Sequence, residues 1–274
     1  MALAKATSVG ATDQAETGSA QLDPGLVDLS VGEELVYTLT LSIPEGSGDV
    51  LLTDNLPPGL SAQSAEVAGF AGGITSANLA AGDTDASASI TISAAGDQVQ
   101  FDFGTVVSQG FAAGLDDPAG AGDLRTVTVQ VTAVADDVAA AASGAQLTNT
   151  ATIQVFDPAT GAELTDPAAP ITASETVEIV EPVLIIDKSA PIAADQGATV
   201  AYSVTVSHDA LASTGPAFDL LLADALSDPN LAFDTGSVVV SGVAGAVVTE
   251  TGTGFEVAIP TLDVGQSVTV TYTA

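Results

Sequence analysis

Thr126-Val127-Thr128-Val129-Gln130-Val131-Thr132 decides the fold. Every second residue is Val, and the residues between are Thr or Gln. A repeat of two places the Val side chains on one face of an extended strand and the polar groups on the other, and β-branched residues suit that pleated surface. Val36-Tyr37-Thr38-Leu39-Thr40-Leu41 and Ser267-Val268-Thr269-Val270-Thr271-Tyr272 read the same way. Turn-forming clusters separate such runs: Pro44-Glu-Gly-Ser-Gly48, Asn55-Leu-Pro-Pro-Gly59, Ala95-Gly96-Asp97 and Asp116-Asp-Pro-Ala-Gly120. Many short strands punctuated in this way predict an all-β protein built as antiparallel β-sandwiches. The Ala-dense stretch Asp136–Ala142 reads as a loop or a short helical turn.

The pattern occurs in two copies. Gly32-Glu-Glu-Leu-Val-Tyr37-Thr-Leu-Thr-Leu41 aligns with Gly197-Ala-Thr-Val-Ala-Tyr202-Ser-Val-Thr-Val206. Each is followed by an apolar run ending in Asp, Val50-Leu-Leu-Thr-Asp54 and Leu220-Leu-Leu-Ala-Asp224. Thr126–Ala133 then matches Val268–Ala274, and Leu3-Ala-Lys5 matches Ile186-Asp-Lys188, although the first copy carries a longer segment between its Lys and its Gly. Two modules in tandem are expected, 1–181 with insertions and 182–274, the break falling at Glu181-Pro182 where proline stiffens a short linker. The second copy stops at the equivalent of Ala133, whereas the first runs on through Gln146–Val155 to Val180. The second module is therefore expected to lack its final strands, which lie downstream in a longer parent or come from another chain.

These landmarks resemble the conserved repeat domain of bacterial surface proteins (domain of unknown function eleven). The residues that carry the resemblance are Lys188-Ser189, Gly197 with Tyr202, Ala223-Asp224 with Leu226, and Leu262–Gly265 before Val268-Thr-Val. In the first copy they are Gly32 with Tyr37, Thr53-Asp54-Asn-Leu-Pro-Pro-Gly-Leu60 and Leu147-Thr-Asn149-Thr-Ala-Thr152. The resemblance implies Ig-like sandwiches strung as stalks, adhesins or envelope layers at the cell surface, without catalytic turnover.

Composition narrows the function further. There are 35 Asp and Glu against three Lys and Arg, a net charge of −32. Such a surface repels phosphate backbones and anionic lipids, so neither nucleic acid nor a membrane is an expected partner. It suits a salty or calcium-rich exterior that screens self-repulsion. With no Cys in the chain, disulfides and thiolate metal sites are excluded. No apolar run reaches the roughly 18 residues of a membrane span. Met1-Ala-Leu-Ala-Lys5 lacks the apolar core of a signal peptide, so if the protein is exported the chain is expected to be an internal fragment carrying an added Met, or to have its export signal elsewhere. Enzyme signatures are missing. The one His, His208, sits beside Asp209 in an expected solvent-exposed turn with no marked nucleophile. No cofactor is expected, calcium being the one left open.

Where basic residues have almost vanished, the retained lysines carry the chemistry. Leu184, Ile186 and Lys188 share a strand face. Asp54 shares one with Val50, Leu52 and Leu56, Asp224 with Leu220, Leu222 and Leu226, and Asn149 with Leu147, Ala151, Ile153 and Val155. Lys5, Asp54 and Asn149 are thus expected to point inward together, at a cost unless they are paired. Three arrangements are open. The first is a Lys5–Asn149 isopeptide bond, as in related surface adhesins: burial leaves a neutral amine, and a buried Asp polarises the amide and shuttles protons. The second is a buried Lys5–Asp54 ion pair with Asn149 capping a turn or bonding backbone. The third has these residues at unrelated positions. In module 2, Lys188 and Asp224 are the equivalent residues, unreacted unless a partner strand brings an Asn. Candidate calcium ligands are Asp83 with Asp85, and Asp116, Asp117 and Asp123, with solvated turns the plain alternative. The leading function is a spacer or a filament or layer unit, with other copies or neighbouring modules as partners, by strand donation among other routes. The alternative is an adhesin module recognising glycan or protein, but only three Tyr and no Trp are present.

Overall fold

The computed structural model describes residues 1–9, 23, 25–108, 125–167 and 169–274. It divides into two compact units, Met1–Ile179 and Val180–Ala274. The first part of the chain forms β1 (Ala2–Val9), β2 (Val27–Ser30), β3 (Glu34–Ser42), β4 (Gly46–Asn55), β5 (Leu60–Ala71), β6 (Ile74–Ser76), β7 (Ile90–Ile92), β8 (Gln98–Ser108), β9 (Thr126–Ala135), β10 (Gln146–Phe156) and β11 (Ile171–Val180). Unit 2 forms β12 (Leu184–Ser189), β13 (Ala201–His208), β14 (Ala217–Ala225), β15 (Val239–Ser241), β16 (Val247–Glu250), β17 (Gly254–Leu262) and β18 (Ser267–Thr273). The Ala-dense stretch becomes a single 3-10 turn, Ala139–Ala141, with Ala141 buried.

The protein is all β. Unit 1 is a sandwich of one sheet ordered β1-β3-β9-β5 and a second ordered β2-β11-β10-β4-β8-β6, with β7 also on β8. The alternation in β9 is realised in full: Val127, Val129 and Val131 have no exposed surface, while Thr126, Thr128 and Thr132 keep contact with water. Tyr37, Leu39, Val129 and Val131 from one sheet meet Leu52, Phe101, Phe103 and Ile153 from the other in one core. Thr hydroxyls on an outward face pair across strands, as in Thr148–Thr176 at 2.9 Å and Thr150–Ser174 at 2.8 Å.

Unit 2 repeats part of this plan, with sheets β12-β13-β18-β15 and β14-β17-β16. The registers align the two copies residue by residue. Lys5 lies opposite Leu39, two residues beyond Tyr37, and Lys188 lies opposite Val204, two beyond Tyr202. Leu52 pairs with Phe101 and Asp54 with Val99, just as Leu222 pairs with Val257 and Asp224 with Phe255. The longer segment after Lys5 therefore leaves the opening strand in the same register.

The copies part company at the edge of β4. In unit 1 that edge carries β10, and β11 follows on β10. In unit 2 no strand among the described residues pairs with the corresponding edge of β14. The opposite edge of β14 is held very tightly. Gly254 approaches it so closely that a Cβ there would lie 2.0 Å from the Asp224 carbonyl oxygen, which is why this position in a strand has no side chain.

Candidate functional site

The three residues singled out in the first module converge. Lys5 comes from β1, which exposes Ala4 and Ala6 and turns Lys5 inward. Asp54 ends the buried series Val50, Leu52, Asp54 of β4. Asn149 lies in the buried series Leu147, Asn149, Ala151, Ile153 of β10. Neither Asp54 nor Asn149 has any exposed surface, and Lys5 retains 8%. The Lys5 Nζ donates to Asp54 Oδ1, and the Asn149 Nδ2 donates to Asp54 Oδ2 at 3.1 Å. One carboxylate thus bridges the amine and the amide: the Lys5–Asp54 pair is formed, and Asn149 bonds Asp54 rather than a turn or the backbone.

Tyr37, which sequence reasoning used only as a landmark, forms one wall. The Lys5 Nζ sits 4.5 Å from its ring centroid, a cation–π contact strengthened by desolvation. The hydroxyl of Tyr37 and the Asn149 Oδ1 are neighbours, both buried and neither within hydrogen-bonding geometry of a partner among the described residues. Burial, with the Asp54 charge, holds the Tyr37 phenol well above its ordinary pKa, and the neighbouring Asn149 amide opposes this. The signal that could have found Tyr37 is its place between Leu35 and Leu39 on the inward face of β3, one strand from Lys5.

The Lys5 amine is shifted in the opposite direction. Burial lowers the Lys5 pKa from 10.5 to about 8, against the opposing pull of Asp54 and, further off, Glu175. The native pKa lies below the unfolded value. Below about pH 8 both states therefore hold the proton, and the full cost of the buried charge is present. Between there and 10.5 the unfolded chain holds a proton that the native one has released, so stability rises with pH. The expected result is that the Asn149→Ala protein, which cannot crosslink, gains urea resistance from pH 8 to 10 relative to Lys5→Met/Asn149→Ala. A flat or falling difference contradicts the depressed amine.

Module 2 assembles only part of this site. Lys188 bonds Asp224, at 2.8 Å to Oδ1 and 2.6 Å to Oδ2. The Tyr272 hydroxyl donates to Asp224 Oδ2 at 2.7 Å, the place that Asn149 takes on Asp54. Partial burial and the hydrogen bond to Asp224 raise the Tyr272 pKa to about 12. Lys188 points to Asp224 and over the rings of Tyr202 and Tyr272, but the pocket is open: its side chain is 42% exposed and all of β12 is exposed, since among the described residues no strand covers the edge of β14. Partial burial lowers the Lys188 pKa, but the hydrogen bonds to Asp224 and Tyr272 and their charges outweigh it, and the net shift is upward.

His208 also differs from expectation. It ends β13 with 8% exposure, its Nε2 donating to the Leu262 carbonyl at 2.8 Å and its Nδ1 facing the Ser213 hydroxyl at 2.5 Å. It fastens a loop to the strand β17. The apolar faces of the strands below it, invisible to a local reading of His-Asp as a turn, draw it in. Among the candidate calcium ligands, Asp83 accepts from the Ala80 N–H at 2.7 Å, and the Asp85 N–H donates to the Ala65 carbonyl. Asp116, Asp117 and Asp123 lie outside the described residues. Among the described residues no three acidic, His or Cys side chains gather as a metal cluster.

No protein-family model matches the chain, and no curated protein does. Among solved structures it is similar to BspA_C_WT, with 12% identity over 90% of this chain and 85% of that one and a TM-score of 0.42. It is similar to BcpA, the major pilin subunit of Bacillus cereus, with 13% identity over 89% of this chain and 62% of that one and a TM-score of 0.36. It is also similar to the Actinomyces fimbrial adhesin FimA, with 16% identity over all of this chain and 78% of that one and a TM-score of 0.36.

Proposed function

We propose that the chain is a structural segment of an extracellular bacterial surface protein, a spacer or a filament or layer unit, in which a Lys5–Asn149 isopeptide bond locks the first sandwich. The observation that carries this reading is the Asp54 carboxylate, which touches both the nitrogen that must lose a proton and the nitrogen that must gain one. In a desolvated pocket a proton passes from the Lys5 ammonium to Asp54, leaving a neutral amine. The Nζ attacks the Asn149 Cγ, the Nζ–Cγ bond forms and the Cγ–Nδ2 bond breaks. Asp54 passes that proton to the departing nitrogen, which leaves as ammonia, and takes the second proton from Nζ as the amide forms. The partnerless Tyr37 hydroxyl lies beside the amide whose oxygen gains charge in the intermediate.

The bond would join β1 to β10 and do the work of the disulfides that a chain without Cys lacks. A pull applied at Met1 would then pass through the side chains directly into β10 and spare the residues between 5 and 149. That property suits a spacer under tension and has no use in turnover. The resemblance of the motifs to surface repeat domains and the acidic surface point the same way. The test is the intact mass of the denatured protein. One ammonia less than the sequence requires, with a branched peptide joining Lys5 to Asn149, is the expected result. The full sequence mass overturns the bond, and with it the tension-bearing role.

A further inference from the structure

β11 carries a carboxylate on the face that meets the core. Its inward series runs Ala173, Glu175, Val177, opposite Ala151, Asn149 and Leu147 of β10, and Val177 is fully buried. Glu175 is half-buried, more open to water than Lys5, Tyr37, Asp54 or Asn149. Directly opposed residues of an antiparallel pair bring their Cβ atoms to about 5 Å. Glu175 therefore stands beside the amide that the proposed bond consumes.

The strand order separates the two carboxylates. β10 lies between β11 and β4, so Asp54 approaches Asn149 from one side and Glu175 from the other. The titratable groups that face the pocket are Lys5, Tyr37, Asp54 and Glu175. Two carboxylates thus serve one ammonium. Asp54 touches the amine and accepts from it. Glu175 acts on the amine by its charge, which favours the ammonium. A negative charge beside Asn149 also opposes the one that builds on the amide oxygen when Nζ attacks. Both effects favour the ion pair over the intermediate.

We propose that Glu175 restrains closure of the Lys5–Asn149 bond, and that ionic strength sets how strongly it does so. The restraint rests on the bond proposed for unit 1 and leaves its steps unchanged: Nζ–Cγ forms, Cγ–Nδ2 breaks and ammonia leaves. Asp54 has no exposed surface, so salt screens it little and its relay works in any medium. Glu175 is within reach of water, where a charge is felt over about 10 Å at about 0.1 M salt and about 3 Å at about 1 M. Closure is therefore held back in a dilute medium and quickens in a saline one. Glu175 sets a rate and enters no bond.

The full chain made by cell-free translation and sampled at intervals by intact mass reads ammonia loss as a rate. At about 0.1 M sodium chloride, Glu175→Gln should lose ammonia about threefold faster than the parent, and at about 1 M the parent should approach the variant. Glu175→Asp keeps the charge and should stay near the parent. A second readout needs no bond. The chain has two lysines, so carbon-13 NMR of the Asn149→Ala chain follows each amine through its titration. Adding Glu175→Gln should lower the midpoint of Lys5 and leave that of Lys188 in place. An unmoved Lys5 midpoint overturns the restraint, as do equal rates of ammonia loss in parent and Glu175→Gln. Acceleration by Glu175→Asp as well shows packing rather than charge and overturns it too. Rates that salt moves equally in parent and Glu175→Gln overturn the role of ionic strength. No ammonia loss in any chain sinks the bond itself and the restraint with it, whereas loss at equal rates sinks the restraint alone.

Discussion

Asp54→Ala will unfold unit 1 far more readily than any surface change, by about 8 kcal/mol, as two costs combine. In the variant no bond forms, and the Lys5 amine is left in the core without the carboxylate that would pair it, at about 3–5 kcal/mol. Losing the proposed Lys5–Asn149 crosslink, which would close the long loop from residue 5 to residue 149, removes about 5 kcal/mol in the chain-entropy picture. For a unit of this size each kcal/mol is worth about 2–4 °C in Tm, so a fall of roughly 20 °C is expected by calorimetry, with the missing ammonia restored in the mass. The double variant Lys5→Met/Asp54→Leu separates the two costs. Replacing a buried ion pair by apolar side chains of similar size is often neutral, so only the loop-closure loss should remain. A double variant as stable as the parent would mean that the pair was an ion pair alone, with no bond to lose.

Gly254→Ala is the second large effect, and it falls on unit 2. The added Cβ would meet the Asp224 carbonyl oxygen at 2.0 Å and the Ala225 Cα at 2.8 Å. Both are backbone atoms of β14, so no side chain can swing away. The strands β14 and β17 must separate where Ala225 faces Gly254, carrying Asp224 away from Lys188 and Tyr272. Overpacking of this kind costs about 3 kcal/mol. The measurement is hydrogen exchange: protection should fall along β14 and β17 and stay unchanged in the core of unit 1. Equal protection in both strands would show that the two backbones can move apart at no cost.

The alternation of Thr and Val announced the sheets because the side-chain period of a strand is fixed by its backbone, whatever the rest of the fold does. The inward direction of Lys5, Asp54 and Asn149 followed from the same rule, and so did the pairing of the two copies. That the three meet at one carboxylate could not be read locally, since it depends on β1, β4 and β10 being brought together from distant parts of the chain. Lys188 shows the limit of the rule. Its strand has the pattern of an inward face, but a face is buried only where the facing sheet extends over it, and among the described residues no strand extends the sheet beyond β14. Tyr272 occupies the second carboxylate oxygen in unit 2 where the equivalent residue of unit 1 is Val131, and the alignment of copies registers that change only as one more apolar position. His208 was misread for a related reason: its partners are the Leu262 carbonyl and the Ser213 hydroxyl, and strand ends gather such partners from elsewhere in the sheet.

The three basic side chains are all engaged in ion pairs, Lys5 with Asp54, Arg125 with Glu45 and Lys188 with Asp224. Trypsin-like proteases cut only after Lys or Arg, so the entire chain offers them three bonds. The bond after Lys5 lies in a strand whose lysine is inside the core, and the bond after Lys188 lies in a strand paired with β13. The same scarcity of cations that makes the chain so acidic leaves the folded protein with almost nothing for such an enzyme to grip.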